Sequence, residues 1–215
     1  MITFPNKSHR LEFTIPQPSE ELAEFCGIML GDGGIAAYQA TVTLHADEER
    51  EYGLFVANLV EHLFRVRPGL YSRKDSRAIS LVLSRVGITD FLTTICGLKR
   101  GNKVAQKTDI PAWIKAKETY RIACMRGLFD TDSSVFPHRY TSRGNTYQYK
   151  KLSFTSTSEP LLLSVWTILQ DSGIKSRIGS RFDVRVDSAK DVARYFQVFG
   201  SNNPKHLKRY QSEVG

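Results

Sequence analysis

Leu22-Ala23-Glu24-Phe25-Cys26-Gly27-Ile28-Met29-Leu30-Gly31-Asp32-Gly33 decides the reading of this chain, because the chain repeats it. At an offset of 100 residues stands Ile122-Ala123-Cys124-Met125-Arg126-Gly127-Leu128-Phe129-Asp130-Thr131-Asp132-Ser133, aligned without a gap. Gly27 answers Gly127, and Asp32 answers Asp132. Internal repetition makes a duplicated structural unit the first expectation.

The residues after each segment match as well. After the first, Ala40 to Ala46 alternates Thr41, Thr43 and His45 against Val42 and Leu44, which predicts a half-buried strand with Ile35 to Tyr38 as its hairpin partner. After the second, Tyr147 to Thr157 is rich in β-branched and aromatic residues. Helical spacing then runs over Tyr52 to Phe64 and over Leu161 to Leu169. A second strand pair comes next in each half: Gly69 to Arg73 with Ala78 to Leu83, and Lys175 to Gly179 with Phe182 to Val186. Last come helices over Ile88 to Cys96 and Ala189 to Phe199, ending at Gly97 and Gly200, and then basic loops in which Lys103 answers Lys205. The second half carries extra residues around Pro137 to Thr146. The order per half is helix, strand, strand, helix, strand, strand, helix. This predicts an α+β fold of two pseudo-symmetric αββαββα halves: an N-terminal arm at 1–18, a first half at 19–107, a linker at 108–118 that packs Trp113, and a second half at 119–215.

Read as helices, the repeated segments place Gly27 and Gly31 on one face, and Gly127 and Thr131 on the matching one. Glycine inside a helix costs about 1 kcal/mol relative to alanine. Carrying that cost at matched positions predicts close packing of each helix on its own copy. Asp32 and Asp132 then meet at the C-terminal ends of both helices, where the helix dipole already disfavours negative charge and two carboxylates repel each other. A divalent cation resolves both problems, and carboxylates with backbone carbonyls are the hard oxygen ligands of Mg²⁺. Either acid alone reads better as turn chemistry; the matched pair reverses that preference and favours a site.

With 41% hydrophobic residues the chain can bury a core, and its net charge of +8 favours polyanionic partners. Cys26, Cys96 and Cys124 sit in apolar runs without a CxxC spacing, which argues against a disulfide framework or a zinc site and for an intracellular, reducing compartment. No segment approaches membrane-spanning length, and the first 20 residues hold no continuous apolar run of the signal-peptide kind.

The two segments resemble the paired motifs of the LAGLIDADG family in its single-chain form, over roughly Ser19 to Tyr210. The resemblance implies a monomeric homing endonuclease, with motif helices at the interface, saddle-shaped antiparallel sheets on double-stranded DNA, and Mg²⁺-dependent double-strand cleavage at a long asymmetric target. Mn²⁺ would substitute in cleavage and Ca²⁺ in binding. It implies Asp32 and Asp132 as metal-binding catalytic acids, the carbonyls of Gly31 and Thr131 as further ligands, Lys103 and Lys205 as groups that polarise water or phosphate, and His45 as the polar strand residue near the reaction, with Ser156 as its counterpart. Leu30 replaces the first acid of the motif, which Asp130 retains, and Ser133 replaces the final glycine. An asymmetric site is therefore expected.

Alternation places one side-chain set of each strand pair in the major groove. The expected contacts are Thr41, Thr43, Tyr71, Arg73, Lys74 and Arg77 in the first half. In the second they are Arg139, Arg143, Tyr147, Tyr149, Lys151, Arg177, Arg181 and Arg185. A non-cleaving DNA-binding regulator and a maturase acting on intron RNA are the rival readings. Intein splice-junction features are lacking, so a free-standing or intron-encoded protein is expected.

Overall fold

A computed structural model describes residues 12–72, 76–103, 105–179 and 182–212. The first half runs α1 (Glu20–Leu30), β1 (Gly33–Ile35), β2 (Ala40–His45), α2 (Arg50–Phe64), β3 (Gly69–Ser72), β4 (Ala78–Leu83) and α3 (Val86–Thr94). A short helix, α4 (Ala112–Lys115), precedes the second half: α5 (Glu118–Asp132), β5 (Ser133–Ser142), β6 (Asn145–Thr155), α6 (Glu159–Asp171), β7 (Arg177–Gly179), β8 (Asp183–Val186), α7 (Ala189–Val198) and α8 (Pro204–Gln211). The strands form two four-stranded antiparallel sheets of like topology, β1-β2-β4-β3 and β5-β6-β8-β7.

At the centre, α1 packs on α5. Ser19 caps α1 by accepting the Leu22 amide at 3.1 Å, and Glu20 and Glu21 in the first turn suit the positive end of the helix dipole. Every residue from Leu22 to Leu30 is buried, so α1 shows little amphipathic contrast, as befits a helix covered on all sides. The paired glycines make this possible. A Cβ on Gly27 would lie 2.1 Å from the Cys124 carbonyl oxygen, and one on Gly127 would lie 2.3 Å from that of Glu24. Each helix thus rests its glycine on the other's backbone. One continuous buried cluster, including Phe25, Ile28, Leu128 and Phe129, joins the halves.

Several boundaries differ from the sequence expectation. β1 begins at Gly33, directly after Asp32, and residues 36–39 form the turn, with the Ala36 amide donating to the Gln39 carbonyl at 2.8 Å. The extra residues around Pro137 to Thr146 are strand and hairpin turn. They extend the β5–β6 hairpin to ten residue pairs, against three in β1–β2. Arg143 and Gly144 close it with φ of 51° and 79°, the left-handed pair that suits a two-residue hairpin turn. Pro137 is tolerated because β5 is an edge strand. Helix α8 was not foreseen. Asn203 caps its start by accepting the Lys205 amide at 3.0 Å. Near its other end the Lys150 ammonium donates to Ser212 Oγ at 2.7 Å and to the Tyr210 carbonyl at 3.3 Å. Among the described residues no helix is long and apolar enough to cross a membrane.

Candidate active site at the helix interface

Asp32 directly follows α1 and its capping Gly31, and Asp132 is the last residue of α5. Their helices arrive side by side, so that the Asp132 carboxyl carbon lies 3.5 Å from where a Cβ on Gly31 would stand. Thr131 packs against the same spot while its hydroxyl donates to the Leu128 and Gly127 carbonyls at 2.9 and 3.1 Å. Any side chain at position 31 would force this end of the interface apart.

The electrostatics arise from the placement. Burial first, then Asp132 and then Glu49, push the Asp32 carboxyl up to about 7 against the pull of Lys103 and Lys205. Burial lifts Asp132 to about 6, with Lys103 opposing. Burial lowers the Lys103 ammonium from its ordinary range, and both aspartates counter that. Without a cation the protein thus holds two carboxylates that are costly to ionise. Carboxylate and carbonyl oxygens at two helix ends are a hard donor set that fits Mg²⁺. Among the described residues no group of three or more His, Cys, Asp or Glu side chains is placed to hold a metal. An ion here would therefore complete its shell from main-chain carbonyls, water and phosphate.

The two lysines are held differently. The Lys103 ammonium donates to the carbonyls of Met29 at 3.2 Å, Leu30 at 3.1 Å and Gly31, capping the end of α1 with a positive charge. The Gly31 carbonyl, expected as a metal ligand, is engaged by Lys103 and becomes one only if the ammonium moves. Lys205 lies in the first turn of α8 rather than in a loop, and its ammonium pairs with Glu49 Oε1 at 2.7 Å.

His45 and Thr43 share the outer face of β2, opposite the buried Val42 and Leu44. The Glu48 amide donates to His45 Nδ1 at 3.2 Å, so the neutral ring carries its proton on Nε2 and presents a donor there, not a base. Just beyond β6, Ser156 Oγ accepts the Ser158 amide at 3.2 Å.

Pairing register sorts the expected DNA contacts by face. Thr41, Thr43 and Tyr71 lie on the outer face of the first sheet with Ser80 and Val82. Tyr147, Tyr149, Lys151, Arg185 and Arg177 lie on the outer face of the second. Arg139 is a correction: it pairs with Gln148 and shares a face with Leu152 and Val135, opposite the tyrosines. Arg143 sits in the hairpin turn, and Arg77 precedes β4, exposed. Arg73, Lys74 and Arg181 lie outside the described residues. Asp187 bridges Lys151 at 2.9 Å and Arg177 at 2.6 Å, and Arg185 pairs with Asp183. Acids thus pre-orient the cations of the second sheet.

Three residues of this region escaped the sequence reading: Glu49, Asn203 and Asp130 in its structural role. Glu49 stands in the acidic run before α2, which by itself reads as ordinary dipole complementation. Asp130 is 1% exposed and accepts the Asn202 amide at 2.7 Å and the Ser201 hydroxyl, so the motif's first acid holds the loop before α8. Leu30 cannot do this in the first half, where the Lys103 cap on α1 stands instead.

The family model described as a LAGLIDADG-like domain matches residues 119–215. The second half of the chain is thus similar in sequence to the LAGLIDADG family. The whole chain shares its fold with several solved structures. Full-length DUF199/WhiA from Thermatoga maritima aligns with a TM-score of 0.57 at 17% identity, covering 90% of this chain and 60% of that one. The chain therefore spans less than two thirds of that protein's length. The homing endonuclease I-DmoI aligns in its complex with DNA and Mn (TM-score 0.57, 14% identity, 84% of this chain and 96% of that one). Its complex with DNA and Ca aligns likewise (TM-score 0.58, 12% identity, 85% and 91%). At these identities the likeness is one of fold. No curated protein matches the chain by sequence.

Proposed function

We propose that this protein is a site-specific endonuclease that hydrolyses both strands of a long, asymmetric DNA duplex with the help of a divalent metal ion. One observation carries the reading: two desolvated carboxylates, Asp32 and Asp132, are brought together at the ends of the interface helices, each raised above the ordinary carboxylate range. Placing two acids there costs stability. Asp32 and Asp132 would hold Mg²⁺, which when bound lowers the pKa of water and neutralises charge on the phosphodiester. Lys103 and Lys205 supply positive charge beside the phosphate, and His45 Nε2 donates a hydrogen bond from the outer face of β2. The outer faces of the two sheets, with Thr41, Thr43, Tyr71, Tyr147, Tyr149, Lys151, Arg177 and Arg185, take the major groove. Complexes of I-DmoI with DNA and Mn or Ca support divalent-metal use by the same fold. Because both motifs lie in one chain, a monomer is expected to suffice. The buried free cysteines suit a reducing compartment.

The test is selection of duplexes from a randomised library in Ca²⁺, followed by Mg²⁺ and sequencing of the ends. Discrete double-strand cuts are expected, lost in Asp32→Asn and in Asp132→Asn while binding persists. Specific binding without cutting in Mg²⁺ or Mn²⁺ overturns the nuclease reading in favour of a DNA-binding regulator. Failure to select any duplex turns the question to RNA.

A further inference from the structure

The matched lysines do not have matched surroundings. Lys103 caps a helix of its own half, whereas Lys205, from the second half, is tied to Glu49 of the first. Glu49 is only 4% exposed. Its Oε2 accepts the His45 amide at 2.9 Å, and its Oε1 accepts both the Lys205 ammonium at 2.7 Å and Asn203 Nδ2 at 3.0 Å. Asn203 is fully buried and donates in addition to the Asp130 carbonyl at 2.9 Å. Burial pushes the Glu49 carboxyl up, but these donors outweigh it and hold the group below its ordinary range. A carboxylate with three donors from two halves has little freedom left. Asp32 feels Lys103 and then Lys205, whereas of the two lysines Asp132 feels Lys103 alone.

We infer that Glu49 is a positioning residue that reaches across the interface and holds Lys205 on the Asp32 side of the pair, so that Lys205 assists cleavage of one DNA strand whereas Lys103 serves both acids. The inference rests on the nuclease reading above and adds a division of labour between the lysines. A plain inter-half ion pair would stabilise the fold without favouring either strand.

Two measurements separate these cases. In the metal-free protein, brief acetylation by acetic anhydride, read by peptide mass spectrometry against the exposed Lys190, reports how firmly Lys205 is held. Glu49→Ala is expected to raise Lys205 labelling about tenfold, the scale of a lost charge-assisted hydrogen bond. Glu49→Gln, which keeps an acceptor oxygen, should raise it less. On a selected duplex labelled on both strands, Glu49→Ala should slow one strand about tenfold and leave the other within about twofold. Lys205→Met should slow the same strand, and the double variant should be no slower than Lys205→Met alone. Glu49→Gln should recover most of the lost rate. Unchanged labelling, equal slowing of both strands, or effects that multiply in the double variant would each overturn the inference. If the wild-type chain cuts no duplex, the nuclease reading and the division of labour fall together, and the labelling contrast alone then decides whether Glu49 tethers Lys205.

Discussion

Asp32 and Asp132 show what a single residue contributes when the fold works against it. Both carboxyls titrate higher in the native protein than in an unfolded chain, whose value is about 3.8. The unfolded chain therefore releases protons that the native state keeps. The stability this contributes is complete below the unfolded value and is lost as pH rises through about 6 and 7. Buried Asp130, raised to about 7 chiefly by burial, acts in the same direction. His206 runs the other way: burial holds its ring neutral down to about 4, so its contribution is lost as pH falls below about 6.5. Above that point the aspartates act alone. The metal-free protein should melt roughly 2–4 °C lower at about pH 8 than at about pH 6.5. Asp32→Asn should flatten the dependence. Mg²⁺ should stabilise most at the higher pH, where the pair it needs is ionised. Differential scanning calorimetry with and without Mg²⁺ checks this, and a melting temperature that climbs over the same window in the metal-free protein would contradict it.

Among the elements, the β5–β6 hairpin sets the two halves apart. Its ten residue pairs exceed those of β1–β2 by seven. At about 3.4 Å per residue this is roughly 24 Å of added ribbon, close to seven base-pair steps of B-DNA. Residues 133–155 include Arg139, Arg143, Lys150 and Lys151 and no acid. On its outer face Tyr140 stacks on Tyr147 at 5.1 Å, and His138 meets Tyr149 edge-on at 5.2 Å, cross-strand pairs that stiffen the ribbon. Hydroxyl-radical footprinting in Ca²⁺ should show protection reaching up to about seven base pairs farther on the side of the second half. Replacing residues 138–149 by an Asn-Gly turn should remove that extension, with little change at the centre. A footprint of equal reach on both sides would rule out the hairpin as the cause of target asymmetry.

For the whole molecule, contacts across the interface make the halves one folding unit. Arg126 of α5 pairs with Glu24 of α1 at 2.9 Å and also donates to the Phe199 carbonyl at 3.2 Å, while Asn202 donates to Glu24 Oε1 at 2.6 Å. Glu24 is 5% exposed, so its removal leaves a largely buried guanidinium without its partner. Glu24→Ala should lower stability by about 3 kcal/mol. Urea unfolding, followed by both fluorescence and circular dichroism, should remain a single transition at a lower midpoint. Two separated transitions in the wild type would show halves that unfold independently, contrary to the shared core.

The sequence by itself determined the duplication, the α+β order of each half, and the residues at the closest point of the interface. These are encoded locally: strand alternation, helical spacing, glycines at matched positions and left-handed Gly97 and Gly200 after their helices are all read within a few neighbours. The same local signals put Asp32 and Asp132 at the helix ends. Only the tertiary structure decided what surrounds them. Lys103 meets the end of α1 from more than 70 residues away, and Lys205 meets Glu49 across 156 positions. The face taken by Arg139 depends on a register fixed by the turn at Arg143 and Gly144, and a shift of one residue would have reversed it. Duplication fixes backbone placement in both copies, but burial and charge depend on which side chains meet once the copies pack, and there the two halves have diverged.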